Sequence, residues 1–113
     1  MTNILAPNQF LGINGTLTSP NGQFQLILQS DGNLVIYRLS NHHALWSSKT
    51  NGQDAMRAIM QSDGNFVLYG FHSNALWASG TNGKAGAFLD MQSDGNLVIY
   101  IPNVPAWSSG TQQ

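Results

Sequence analysis

Glutamine, aspartate, asparagine, valine and tyrosine recur in this chain at two-residue steps, and the whole pattern is written three times. The copies are Gln29 to Tyr37 (QSDGNLVIY), Gln61 to Tyr69 (QSDGNFVLY) and Gln92 to Tyr100 (QSDGNLVIY), starting 32 and then 31 residues apart. The candidate binding residues are therefore Gln29, Asp31, Asn33, Val35 and Tyr37, then Gln61, Asp63, Asn65, Val67 and Tyr69, then Gln92, Asp94, Asn96, Val98 and Tyr100. Amide, carboxylate and phenol groups together both give and accept hydrogen bonds, and the valine offers contact to a C–H patch. A neutral polyhydroxylated molecule, a sugar, fits that description. No basic residue lies in the motif, so phosphate is a poor match.

Elements that could position these groups follow from the flanking residues. Each copy is preceded by a mainly apolar run (Phe24–Leu28, Met56–Met60, Phe88–Met91) and continues as an alternating β-branched and aromatic stretch. Asp-Gly between two such runs predicts a hairpin, because glycine accepts the positive φ of a tight turn. Three hairpins are expected, closed at Asp31-Gly32, Asp63-Gly64 and Asp94-Gly95. Side chains alternate between faces of a strand, so Leu34 and Ile36, Phe66 and Leu68, and Leu97 and Ile99 point to a core. Asn, Val and Tyr of each copy point away from it, with Gln and Asp converging on the same face.

A turn by itself explains Asp and Gly, but not why Gln, Val and Tyr stay fixed while the inward residues drift between Leu and Phe or Ile and Leu. Packing tolerates volume-similar exchange. A hydrogen-bonding site tolerates less, since removing one partner strands the others. The outward face is thus read as a site.

The spaced pattern Gln-x-Asp-x-Asn-x-Val-x-Tyr resembles the binding motif of the bulb-type mannose-binding lectins, the family typified by the snowdrop agglutinin. Three complete copies make the resemblance cover nearly the whole chain. It implies an all-β fold, a type II β-prism of three antiparallel sheets with pseudo-threefold repeats and one sugar site per sheet. It further implies calcium-independent binding of α-mannose-type residues at up to three sites, without cofactor, metal or catalysis. Gln29, Asp31, Asn33 and Tyr37 would hydrogen-bond the sugar, Asp31 and Asn33 reaching the axial 2-hydroxyl, and Val35 would pack on its C–H surface. The same roles pass to the corresponding residues of the second and third copies. The implied partners are mannose-containing glycans or glycoproteins. A homodimer formed by exchange of a C-terminal strand, common in that family, is compatible with the tail Ser108–Gln113.

Composition agrees with a binding module. The 113 residues suit one domain over 1–113, divided into a motif-free segment 1–19 and repeats 20–50, 51–81 and 82–113. The segment 1–19, with strand candidates at Phe10–Ile13 and Thr16–Thr18, is expected to complete one of the sheets. Asn21-Gly22, Asn51-Gly52 and Asn82-Gly83 add a tight turn near the head of each repeat. Only 8% of residues are charged and the net charge is −1, which disfavours nucleic acid and anionic membranes as partners. Three of the five acids, all Asp, lie in the motifs, leaving only Asp54 and Asp90, a near-exhaustion that argues against a glycosidase, which usually needs two dedicated carboxylates flanking its substrate. No Gly-x-Ser-x-Gly nucleophile elbow occurs. There is no cysteine, and Gly32 stands where a Cys often sits in the resembled family. The N-terminal residues do not read as a signal peptide, nor any stretch as a membrane span. The expected location is cytoplasmic, or outside by release without a cleavable signal.

Each repeat carries one tryptophan, Trp46, Trp77 and Trp107, at 9, 8 and 7 residues after the motif tyrosine. One Trp per repeat, flanked by small residues, is read as shared core rather than a stacking platform. His42, His43 and His72 are read as loop residues lining an extended sugar site in preference to metal ligands. Met56, Met60 and Met91 are read as core filler. Two other functions remain open: a lectin-like bacteriocin directed at bacterial surface polysaccharide, and a structural or protein-binding β-prism that keeps the motifs as turns.

Overall fold

The alternation of inward Leu and Ile with outward polar residues produces strands joined by turns, with no helix among the described residues. The computed structural model describes residues 2–101 and 104–113. Its strands are β1 (Ile4–Leu5), β2 (Phe10–Gly12), β3 (Thr16–Thr18), β4 (Phe24–Leu28), β5 (Leu34–Arg38), β6 (His43–Ser47), β7 (Ala55–Met60), β8 (Phe66–Gly70), β9 (Ala75–Ala78), β10 (Phe88–Met91), β11 (Leu97–Ile101) and β12 (Val104–Ser108). They form three antiparallel four-stranded sheets, ordered β3-β4-β5-β6, β2-β7-β8-β9 and β1-β10-β11-β12. This is the expected β-prism, with one motif hairpin at the centre of each sheet.

The N-terminal segment departs from expectation. Instead of completing one sheet, it supplies an outer strand to all three. The runs are too short to span more than one sheet, and left-handed asparagines separate them: Asn8 at φ 71° and Asn14 at φ 67°. Asparagine tolerates that conformation better than most residues. At those corners the backbone N–H of Asn8 bonds Met60 O at 2.6 Å and that of Asn14 bonds Leu28 O at 2.7 Å. One segment thereby ties the three repeats together.

Inward residues of all three hairpins meet in one core. Leu26, Leu28, Leu34, Ile36, Met60, Phe66, Leu68, Leu89, Met91, Leu97 and Ile99 are fully buried. The three tryptophans pack against that core and on one another edge to face, with ring centroids 5.2, 6.0 and 5.8 Å apart. Edge-to-face aromatic pairs add about 0.5–1.5 kcal/mol beyond their burial. The reading of Trp46, Trp77 and Trp107 as a shared core holds.

Met56 does not behave as core filler. It is 42% exposed, whereas Met60 and Met91 are fully buried. A register shift between Ala55 and Arg57 makes Met56 the extra residue of a β-bulge, so both it and Arg57 lie outside.

Candidate binding grooves

The motif turn is the same three times. Gln29 N–H donates to Asn33 O at 2.8 Å and Gly32 N–H to Gln29 O at 3.0 Å, and motifs 2 and 3 repeat both bonds. Gly32, Gly64 and Gly95 sit at φ 91°, 92° and 89°, conformations that cost a residue with a Cβ. Each glycine is also overlain by chain from further along. A Cβ would lie 2.2 Å from Gln53 O at Gly32, 2.3 Å from Lys84 O at Gly64 and 2.9 Å from Thr111 O at Gly95. Glycine is thus required by φ and by space together.

Within this turn the polar side chains are half committed. Asp31 Oδ1 accepts from Asn33 N–H at 2.9 Å, leaving its second oxygen for a ligand. Asn33 Oδ1 accepts from Ser48 Oγ at 3.3 Å and from Thr50 N–H at 3.2 Å, leaving its NH₂. Thr50 Oγ1 in turn donates to Gly32 O at 2.6 Å, and Ser48 Oγ accepts from Leu34 N–H at 3.1 Å. The set recurs at Asp63, Asn65, Ser79 and Thr81, and at Asp94, Asn96, Ser109 and Thr111. This Ser-x-Thr clamp is a functional element that the sequence reading missed. Its signal is the Ser-x-Thr that follows every Trp-x.

Farther along the strand, Gln29 Nε2 donates to the Tyr37 phenol oxygen, as Gln61 does to Tyr69 and Gln92 to Tyr100. Among the described residues the phenol hydrogen and the glutamine carbonyl have no other partner. Between the ends lies the valine, on the outward side as the alternation requires. Val35, Val67 and Val98 are each only 3% exposed, so they form a floor rather than an open contact surface. In each sheet the motif residues therefore form two hydrogen-bonded pairs, Asp with Asn at the turn and Gln with Tyr along the strand, with the buried valine between them.

Around each tyrosine the surface sinks into a groove, of about 390 Å³ beside Tyr37 and about 320 Å³ beside each of Tyr69 and Tyr100. The walls are not alike. Gln25 pairs across from Tyr37, Arg57 from Tyr69 and Phe88 from Tyr100. One step nearer the turn, Ile27, Ile59 and Asp90 pair with the three valines. These wall residues also escaped the sequence reading, although continuing the two-residue step backward reaches Ile27 and Gln25 from Gln29, Ile59 and Arg57 from Gln61, and Asp90 and Phe88 from Gln92. His42 lines the first groove, edge-on to Tyr37 at 5.4 Å, whereas His43 begins strand β6 instead of lying in a loop and His72 is not among the residues lining the second groove. Among the described residues, no three His, Asp or Glu side chains gather where they could hold a metal ion.

A three-sheet prism with a groove on each sheet is the architecture of a β-prism II lectin. No family model matches the chain. A monomeric monocot mannose-binding lectin from Gastrodia elata is 40% identical, with a TM-score of 0.86 over 99% of this chain and 100% of that one. A domain-swapped lectin dimer from Mycobacterium smegmatis is 48% identical, with a TM-score of 0.57 over 93% of this chain and 96% of that one. The B-type lectin plumieribetin of Scorpaena plumieri is 42% identical over 55 residues, 49% of this chain and 46% of that protein. The chain thus spans about half the length of the curated relative it matches. On these likenesses the chain belongs to the bulb-type mannose-binding lectin family.

Proposed function

We propose that the protein is a calcium-independent lectin that binds α-mannose-type residues of glycans at three sites, one on each sheet. One observation carries this reading: every motif has half its polar atoms fixed by the frame and the complementary half free. Tyr O–H and Asn NH₂ offer donors, while Asp Oδ2 and Gln Oε1 offer acceptors, over an apolar valine floor. Sugar hydroxyls both donate and accept, so such a set serves them without a metal. The mannose-binding lectin of Gastrodia elata, at 40% identity, supports the choice of sugar.

Each sugar hydrogen bond replaces one to water and nets only about 1 kcal/mol. A monosaccharide should therefore bind near millimolar, about −4 kcal/mol. Three sites on three sheets raise the avidity for branched or clustered glycans by about 10²-fold or more where geometry allows. Multivalent recognition of glycan-bearing surfaces, as in defence, follows from that arithmetic. A homodimer made by exchange of β12 would double the number of sites, and the domain-swapped mycobacterial relative supports it. Light scattering on the purified protein measures its mass.

The test is calorimetric titration with methyl α-mannoside of the wild type and of the triple variant Tyr37→Phe, Tyr69→Phe, Tyr100→Phe. Weak saturable heat, lost in the variant and unchanged by EDTA, is expected. No heat at high sugar, or equal heat in the variant, would refute the sites; loss in EDTA would refute the metal-free claim.

A further inference from the structure

The three motifs share their five spaced side chains, yet among the described residues only the second groove has an Arg or Lys in its lining. Arg57 lies directly across from Tyr69, at the register occupied by Gln25 in the first groove and Phe88 in the third. Its side chain is exposed, and its guanidinium rests 5.4 Å from the centroid of the Phe10 ring. An aromatic face holds the guanidinium in place while leaving its N–H donors for a ligand, which a carboxylate partner would not do. Lys84 flanks the turn end of the same hairpin, its backbone N–H bonded to Asp63 O at 3.0 Å. Arg57 is thus the charged residue among those lining the groove beside Tyr69, while the motif carboxylate, Asp63, sits at the turn end. The third groove has the opposite character, with Asp90 in its wall.

We propose that the second groove binds mannose-type sugars bearing an oxyanion, a phosphate or a carboxylate, at the carbon-6 edge of the ring. The proposal rests on the sugar-binding reading above. Asp63 and Asn65 lie at the turn and Tyr69 at the far end of the groove, four residues beyond Asn65. A ring with its 2-hydroxyl at the turn presents the opposite edge, carbons 4 to 6, toward Tyr69 and Arg57. An anion there meets the guanidinium fork, which suits phosphate and carboxylate geometry. Met56 and Phe10, 42% and 53% exposed on either side of Arg57, provide apolar surface for C–H faces of an adjoining residue.

Calorimetry with mannose 6-phosphate, methyl α-mannosiduronate and methyl α-mannoside tests this. The wild type is expected to bind one equivalent of an anionic sugar about tenfold more tightly than the neutral one. That preference should weaken at high salt, since an exposed charge pair is screened. Arg57→Gln, which copies the wall of the first groove, should bring the ratio to near one. Gln25→Arg should raise the number of tight anionic sites from one to two. Preference for phosphate over uronate, or the reverse, identifies the natural anion, and either supports the proposal. Equal affinity for anionic and neutral sugars, or a preference untouched by Arg57→Gln, overturns it while leaving the mannose reading intact. Arg57-dependent binding of the anionic sugars with no heat from methyl α-mannoside would overturn the neutral-mannose reading and keep this one. No binding of any of the three sugars overturns both.

Discussion

The turn end of each groove and its strand wall are built on opposite terms. At the turn, Asp, Gly and Asn are each tied to backbone or to the Ser-x-Thr clamp, and the arrangement is the same in all three repeats. At the wall, residues in one register position are an amide, a guanidinium and a phenyl ring. The difference teaches where each constraint comes from. On the proposed sugar-binding reading a turn side chain serves the frame with one atom and the ligand with another, so few replacements satisfy both. A wall side chain takes no part in that hydrogen-bonded frame, so it is free to differ. If the sites bind as proposed, one fold holds a common recognition element and three separate specificities.

The largest effect should come from breaking the frame at its glycine. Gly64→Ala places a Cβ 2.3 Å from Lys84 O at a φ of 92°. We expect a loss of about 3 kcal/mol, combining backbone strain with the clash. Gly83→Ala, also at φ 92° but with nothing within 4 Å of the added carbon, should cost about 1 kcal/mol. Thermal melts of the pair separate the two causes; equal melting temperatures would show that the overlying chain yields and that the turn is looser than its geometry.

A smaller effect should show whether damage to the frame reaches the ligand. Ser79→Ala removes a donor to Asn65 Oδ1 at 3.1 Å and an acceptor for Phe66 N–H at 3.0 Å. About 1–2 kcal/mol of stability should be lost. The methyl α-mannoside stoichiometry should fall by one site as the Asn65 amide loses its fixed orientation. Undiminished stoichiometry would mean that Thr81 N–H and Gly80 N–H, which also bond Asn65 Oδ1, suffice to hold it.

Much of this division is legible in the amino-acid sequence itself. The Asp-Gly hairpins, the inward Leu34, Ile36, Phe66, Leu68, Leu97 and Ile99, and the tryptophan core follow from alternation and repetition, which are local signals. Three features escape because they depend on partners distant in sequence or on a local irregularity. The segment 1–19 serves three sheets because its corners bond to Met60 and Leu28. Met56 is outside because of a bulge, which resets the two-residue alternation without a mark in the composition. The clamp residues Ser48 and Thr50 lie 15 and 17 residues beyond the Asn33 they hold. The fold-level pattern is therefore legible, and the second half of each site is not.

The smallest expected effect tests the wall. Phe88 stacks on Tyr100, with centroids 5.8 Å apart and planes inclined at 30°, so it could belong to the frame by steadying the tyrosine. Tyr100 is also held by Gln92, as its counterparts are by Gln29 and Gln61 in grooves without any phenylalanine at this position. Phe88→Gln copies the first groove and should lower stability by no more than about 1 kcal/mol, the value of the aromatic pair. The affinity of the third site for methyl α-mannoside should shift less than about threefold, since no hydrogen bond within the motif is removed. What should change is the preference for the residue beyond the mannose, measured with a set of dimannosides, because that residue touches the wall. If instead Phe88→Gln silences the third site toward the monosaccharide, the tyrosine there depends on stacking. The division between frame and wall would then hold for two grooves and fail for the third.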